Sequence, residues 1–424
     1  MTPPLISFYF QVHQPYRLRD LRITEIGRDN VTYFDEEKNR AVFRKVAEKC
    51  YLPANRLMLE LLNRHPNFAI SYSLSGVFLE QCGEYGQDVL DSFRALAATG
   101  KVEFLAETYY HSLSALTSLE EFCEQVEKHV HTIETLFGQR PKVFRNTELV
   151  FSNEIAEIAR LLGFHGILAE GADHLLRGRT PNQPYTIPKF SLPEATQKLI
   201  KKHKIHRKPV EEIAVLLKNY RLSDDVAFRF SDRSWVGFPL HADTFTSWLT
   251  SSGGHSVNLY MDYETFGEHQ WADTGIFEFL RALPRMWEQW NIGTETPSKV
   301  IALWGDRPKE TFDAHTHVSW ADIERDLSAW RGNRIQEAAF AGIYGLEQEI
   351  KQTEDEALLH IWRKLQTSDH FYYMCTKYWN DGDVHKYFSP YDSPYEAYRR
   401  YSHALCDLKT RLEKSSKHQK SNSK

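Results

Sequence analysis

Leu5-Ile6-Ser7-Phe8-Tyr9-Phe10-Gln11-Val12 is a β-branched and aromatic run that stops at His13-Gln14-Pro15, where proline cannot continue a central strand. It reads as a first strand with a polar tip. Working outward, similar short apolar runs follow at Phe68–Leu74, Val102–Leu105, Val143–Phe144, Gly166–Ala169 and Val257–Met261, with helical periodicity between several of them, at Ala54–Arg64, Val89–Thr99 and Leu119–Phe137. The pattern is strand then helix, repeated. Such alternation argues for a parallel sheet covered by helices, and its extent over roughly 300 residues favours a barrel over an open sheet. No Gly-x-Gly-x-x-Gly follows any of these strands, which removes the main signal for the open, dinucleotide-binding alternative. His13, Ser75, Glu107, Glu148, Glu170 and Asp262 all fall at or just beyond the C-terminal ends of the predicted strands. That is the face on which barrels of this kind build their sites.

A chain of 424 residues exceeds the usual single-domain size. The expected division is a barrel over 1–310 with a basic insertion near 196–214, a helical C-terminal domain over 311–413, and a disordered tail at 414–424. Trp320 to Gln352 reads as one long amphipathic helix, with Ser319 as N-cap and Asp322 and Glu324 at its positive end. The tail contains mostly Lys, Ser, His and Gln and lacks the apolar surface needed to order itself. The insertion carries Lys198, Lys201, Lys202, His203, Lys204, His206, Arg207 and Lys208, most simply a solvated face.

The charge balance, 52 basic against 57 acidic residues, leaves a net −5 and no basic stripe for phosphates, so nucleic acid is not an expected partner. No apolar stretch of about 20 residues reads as a membrane span, and residues 1–20 lack the pattern of a signal peptide. The five cysteines are scattered and without metal-ligand spacing, which suits reduced thiols in the cytoplasm. For a metal, His13, Asp173-His174 and His315-x-His317 were the available groups. None forms a tight ligand string, and no cofactor is expected. Nucleophile-elbow, P-loop and His-Glu-x-x-His motifs are absent.

Glu148 in Phe144-Arg145-Asn146-Thr147-Glu148-Leu149 and Asp262 in Met261-Asp262-Tyr263-Glu264-Thr265-Phe266-Gly267-Glu268-His269 lie more than a hundred positions apart, each at a strand end. Cleavage of a glycosidic bond needs such a pair of carboxyls, one protonating the leaving oxygen and one attacking the sugar. Together with His13-Gln14-Pro15 and Tyr109-Tyr110-His111, and in this order along the chain, the motifs resemble those of family 57 glycoside hydrolases. The similarity is greatest to the short, α-amylase-like members, and extends to Ser368-Asp369-His370-Phe371 in the helical region.

The resemblance implies an incomplete (β/α)7 TIM-like barrel followed by a helical domain, and cleavage or transfer of α-glucans with retention. It implies Glu148 as nucleophile, Asp262 as general acid/base and His13 as a sugar-contacting group. A retaining pair stands about 5 Å apart. Glu148 is expected to stay ionised, with Arg145 or a histidine assisting, and Asp262 to be protonated through its closeness to Glu148 and Glu264. Gln14, Glu107, Tyr110, His111, Asp224, Glu264, His269, Trp271, Asp369 and His370 complete the expected substrate-binding set. Among them Trp271 would offer an indole face, and Asp224-Asp225 a sugar-binding loop; turn-forming aspartates and a plain loop histidine are the bland readings of Asp224 and His269. The expected ligand is an α-glucan or maltooligosaccharide. A 4-α-glucanotransferase or branching enzyme would share every residue named, and a non-catalytic glucan-binding barrel would share the scaffold. Oligomeric state is not encoded in these motifs.

Overall fold

The computed structural model describes residues 3–422 except 204, 207 and 378–386, and the side chains only as far as 414. Two units emerge, both discontinuous in sequence. One comprises 1–14, 42–109 and 123–320; the other comprises 15–41, 110–122 and 321–424.

Among its described residues the first unit holds nine strands: β1 Leu5–Val12, β2 Ile70–Leu74, β3 Val102–Phe104, β4 Val143–Arg145, β5 Gly166–Glu170, β6 Tyr185–Thr186, β7 Ala214–Lys218, β8 Ser256–Asp262 and β9 Glu310–Thr311. They form two sheets, ordered β3-β2-β1-β8 and β4-β5-β7-β6-β9. Seven of them, all but β6 and β9, are mutually parallel where they pair. A parallel bridge between Ala106 and Phe144 joins β3 to β4. On the far side β7 and β8 form no ladder among the described residues; they are linked by Asn219 N–H to the Asn258 carbonyl at 2.9 Å, Asn258 Nδ2 to the Leu217 carbonyl at 2.8 Å and the Tyr260 hydroxyl to the Leu216 carbonyl at 3.4 Å. The result is an incomplete (β/α)7 barrel.

Side chains alternate across each strand, so β1 feeds two different cores. Ile6, Phe8, Phe10 and Val12 pack outward among residues of the covering helices, such as Leu57, Leu61 and Trp287. Tyr9 points the other way and meets Leu105, Val143, Leu168, Leu216 and Tyr260 in a second, smaller cluster that fills the lumen. A burial-driven alternation of this kind fixes register, because a slip of one residue would exchange the two faces.

Most expected elements are present with shifts at their ends; Leu119–Phe137 is a helix over those residues, while Leu52–Arg64 and Gln87–Ala98 replace the expected 54–64 and 89–99. Strand β7 was not among the expected strands. Its run Ala214-Val215-Leu216-Leu217-Lys218 is buried throughout and follows directly on the basic insertion, whose charges mask it in the sequence. The insertion itself contains a helix, Glu194–Lys202.

The second unit is helical. The single helix expected from Trp320 to Gln352 is instead three, Ser328–Arg331, Arg334–Tyr344 and Glu347–Gln352. Asp322 and Arg325 have φ of +55° and +54°, which no right-handed helix tolerates. Asn333 then opens a new helix with a capping box to Gln336, and Gly345 ends it. Further helices are Glu356–Lys364, Ser368–Tyr372 and Pro394–Asn422. Helical backbone thus runs through the expected tail as far as Asn422.

Candidate active site

Period-two alternation carries the lumen-facing row of each strand up to its C-terminal end. Above Tyr9, Leu105, Val143, Leu168, Leu216 and Tyr260 the next positions on the same face are Gln11, Glu107, Arg145, Glu170, Lys218 and Asp262. An apolar layer is therefore topped by a polar one. Following the sheets, the charges alternate in sign: Glu107 beyond β3, Arg145 on β4, Glu170 on β5, Lys218 on β7, Asp262 on β8. Glu107, Arg145, Glu170 and Lys218 are buried, and alternation is what lets a low-dielectric interior hold so many charges. Lys218 Nζ lies 3.8 Å from Glu170 and 3.1 Å from Asp224. Gln11 Nε2 donates to Glu107 at 3.1 Å, and the Tyr9 hydroxyl donates to Gln11 Oε1 at 2.9 Å. Burial pushes the Tyr9 phenol well above its ordinary range, with the charges of Arg145, Glu107 and Asp262 as lesser influences.

Glu148 lies just past β4 in a tight turn. Its φ of +58° and that of Leu149, +50°, put two successive non-glycine residues in the left-handed region. The turn is held by Leu149 N–H to the Asn146 carbonyl, by Asn146 Nδ2 to the Val150 carbonyl at 2.9 Å, and by a Thr147–Thr108 hydroxyl contact at 2.7 Å. The half-buried Glu148 carboxylate accepts the Trp320 Nε1–H at 3.0 Å. Arg145, expected to assist Glu148, makes no hydrogen bond to it. None of its three nitrogens has a hydrogen-bond partner among the described residues; its guanidinium instead lies 4.9 Å from the centre of the Trp320 ring.

Asp262 ends β8, paired in register with Gln11, and is half-buried. The strand does not persist beyond it: Tyr263–Thr265 is a 3-10 turn. Glu264 is carried into the interior, where it accepts a hydrogen bond from the Tyr51 hydroxyl, itself 3.1 Å from Gln14 Nε2. Burial, reinforced by the charge of Asp262, pushes the Glu264 carboxyl up to about 8. Glu264 therefore holds a proton at neutral pH. His13 shares a 2.7 Å hydrogen bond with Ser75, which also caps the helix Gly76–Tyr85.

His269 is neutral, its imidazolium form disfavoured by burial to a pKa of about 4. The neighbouring Glu268 pairs with Lys45 at 2.5 Å, and Lys49 sits 4.8 Å over the Trp271 ring, which is 57% exposed. Asp224 lies on a helix, Tyr220–Ala227, capped by Asn219, where a loop had been expected. The apolar spacing Leu222, Val226 was the overlooked signal.

Tyr110, His111, Asp369 and His370 belong to the helical unit, which brings them together. An antiparallel bridge pairs Ser112 with Thr367, Ser368 N–H donates to the His111 carbonyl, and Thr367 Oγ1 donates to the Tyr110 carbonyl at 2.9 Å. Ring and carboxylate atoms of His111 and Asp369 lie within 4.8 Å. His370 packs its ring 5.7 Å from Tyr401.

Residues 7–315 match the model of glycosyl hydrolase family 57. The chain belongs to that family. It is also 42% identical, over 95% of its own length and 84% of the relative's, to a Methanocaldococcus jannaschii protein provisionally named an alpha-amylase. Among solved structures the fold is similar to a family 57 branching enzyme from Pyrococcus horikoshii, with a TM-score of 0.62 at 17% identity, covering 88% of this chain and 86% of that one. It is likewise similar to the 4-alpha-glucanotransferase of Thermococcus litoralis, again at 0.62 and 16% identity, covering 88% of this chain and 56% of that one. This family 57 chain is a glycoside hydrolase with α-amylase-like relatives. Sequence reading missed Trp320, Tyr9, Tyr51 and Lys218, because buried aromatics and a strand-end lysine look like ordinary core and ion-pair residues in a linear string.

Proposed function

We propose that this enzyme cleaves α-1,4-glucosidic bonds of α-glucans with retention, in the manner of an α-amylase, with Glu148 as nucleophile and Asp262 as acid then base. The observation that carries the reading is two half-buried carboxylates, one just past β4 and one ending β8, at the C-terminal mouth of a single barrel. In the first step a Glu148 oxygen bonds to the anomeric carbon from its β face. The bond to the leaving oxygen breaks, and that oxygen takes the Asp262 proton. In the second step a water gives a proton to Asp262 and bonds to the anomeric carbon, and the ester to Glu148 breaks. Two inversions leave the product α-configured. The five cysteines remaining as thiols suit a reducing, cytoplasmic setting.

The Glu148→Gln variant is expected to keep its fold by circular dichroism and lose at least about a hundredfold in turnover of maltoheptaose, since a nucleophile is removed outright. Retention of more than about a tenth of the activity would end the assignment. Proton NMR of the first-formed product should show the α anomer. In the same incubation only shorter oligomers mean hydrolysis; longer ones mean transfer to a sugar hydroxyl, the reaction of a glucanotransferase or branching enzyme.

A further inference from the structure

We propose that Trp320 is a positioning residue for Glu148, holding the attacking carboxylate through its indole N–H and held in turn by two buried cations; the proposal rests on the reading of Glu148 as nucleophile. Trp320 reaches the carboxylate because the chain before it is drawn along the mouth of the barrel. Phe312 N–H donates to the Thr186 carbonyl, Asn153 N–H to the Ala314 carbonyl, and Phe151 and Val318 exchange both backbone hydrogen bonds at 2.8 and 2.9 Å. Two residues later Trp320 returns to Glu148 twice, backbone N–H to carbonyl at 3.4 Å and Nε1–H to Oε2 at 3.0 Å. The ring is not loose. Arg145 lies 4.9 Å and Lys218 5.4 Å from its centre, and both cations are buried.

The buried guanidinium explains itself in this arrangement. Arg145 has no hydrogen-bond acceptor among the described residues, a costly condition for a fully buried cation unless another favourable contact replaces it. The indole face supplies that contact, since cation–π attraction strengthens where water is excluded. Cations against the ring withdraw electron density and make its N–H a better donor. A charge-assisted bond to one carboxylate oxygen fixes the carboxylate's orientation and favours its ionised form.

The test is Trp320→Phe, which keeps an aromatic ring for the two cations and removes the N–H donor. We expect kcat on maltoheptaose to fall about 10- to 100-fold, as for loss of a hydrogen bond to a charged group, with KM changing less than about threefold. The acidic limb of the pH profile of kcat/KM should move upward by about one unit, because the ionised form of Glu148 loses a donor. An unmoved limb with kcat within about twofold of wild type would overturn the proposal. A second measurement separates positioning from sugar stacking or general damage. In Glu148→Ala, azide can take the place of the carboxylate and yield the β-glucosyl azide while Asp262 protonates the leaving oxygen. Adding Trp320→Phe to that background should lower the azide rate much less than it lowers wild-type turnover. If it lowers the rate as much as it lowers wild-type turnover, Trp320 acts on something other than Glu148 and the proposal fails. Failure of the underlying reading looks different: Glu148→Ala would then keep its activity without azide.

Discussion

Glu148 and Glu264 are two carboxyls under opposite environments. Glu148 stays half-exposed and meets an N–H donor, which suits an ionised group. Its backbone is strained, and left-handed non-glycine residues of this kind concentrate at functional sites. Glu264 is buried beside Asp262 and carries a pKa of about 8 against an ordinary 4.5. Between those values the folded chain binds more protons than the unfolded one, so stability falls as pH rises through that window, by up to about 1.4 kcal/mol per unit. Below about 4.5 both states are protonated and the effect vanishes. Glu264→Gln should therefore raise Tm relative to wild type increasingly from about pH 5 to about pH 8 and match it in acid. Parallel Tm curves for the two proteins across that range would mean that Glu264 does not titrate there.

At the scale of elements, what was legible in the sequence was whatever repeats. Leu5–Val12 alternates and is bounded by proline, and Leu119–Phe137 keeps one helical period for its whole length; both elements lie where the pattern put them. The strand-end carboxylates Glu148 and Asp262 could be found because a strand's end is a local property of the chain. What was not legible depended on contacts remote in sequence. Trp320 meets Glu148 only because segment 312–318 adds itself along 151–153, and nothing in Val318-Ser319-Trp320 records that partner. Asp224 was misplaced for the opposite reason, since its turn-forming composition outweighed two apolar residues at helical spacing. The turn after β8 depends on one glycine. Gly267 has φ of +118°, and a Cβ there would come within 1.9 Å of the Lys49 carbonyl oxygen, which is backbone and cannot swing aside. Gly267→Ala should cost about 3 kcal/mol or more, read as a lowered urea midpoint with an unchanged slope. A midpoint like the wild type's would show that the turn rearranges freely.

At the scale of the whole molecule, the helical unit is assembled from three separated stretches of chain. Buried charges bind them together. Glu121 is fully buried and receives Arg363 at 2.8 Å and Lys351 at 3.1 Å. Asp407, equally buried, accepts from the Tyr33 hydroxyl and Gly27 N–H, both at 2.6 Å, and pairs with Arg411. A fragment of residues 321–424 would lack Glu121, Gly27 and Tyr33, leaving Arg363 and Asp407 without these partners. Removing one partner of a buried pair costs about 3–5 kcal/mol, and this fragment loses several. It should show no cooperative thermal transition by circular dichroism, whereas the intact chain should. A sharp melt of the fragment would refute that dependence. No helix among the described residues is long and apolar enough to cross a membrane.

The sign alternation of Glu107, Arg145, Glu170, Lys218 and Asp262 has an effect beyond the interior it solvates. Opposite charges set side by side partly cancel, so the alternating row projects a weaker field into the surrounding water than its acids alone would. A visitor rich in hydroxyls but carrying no charge is not steered by whatever field remains. Capture by such a mouth should be nearly indifferent to ionic strength.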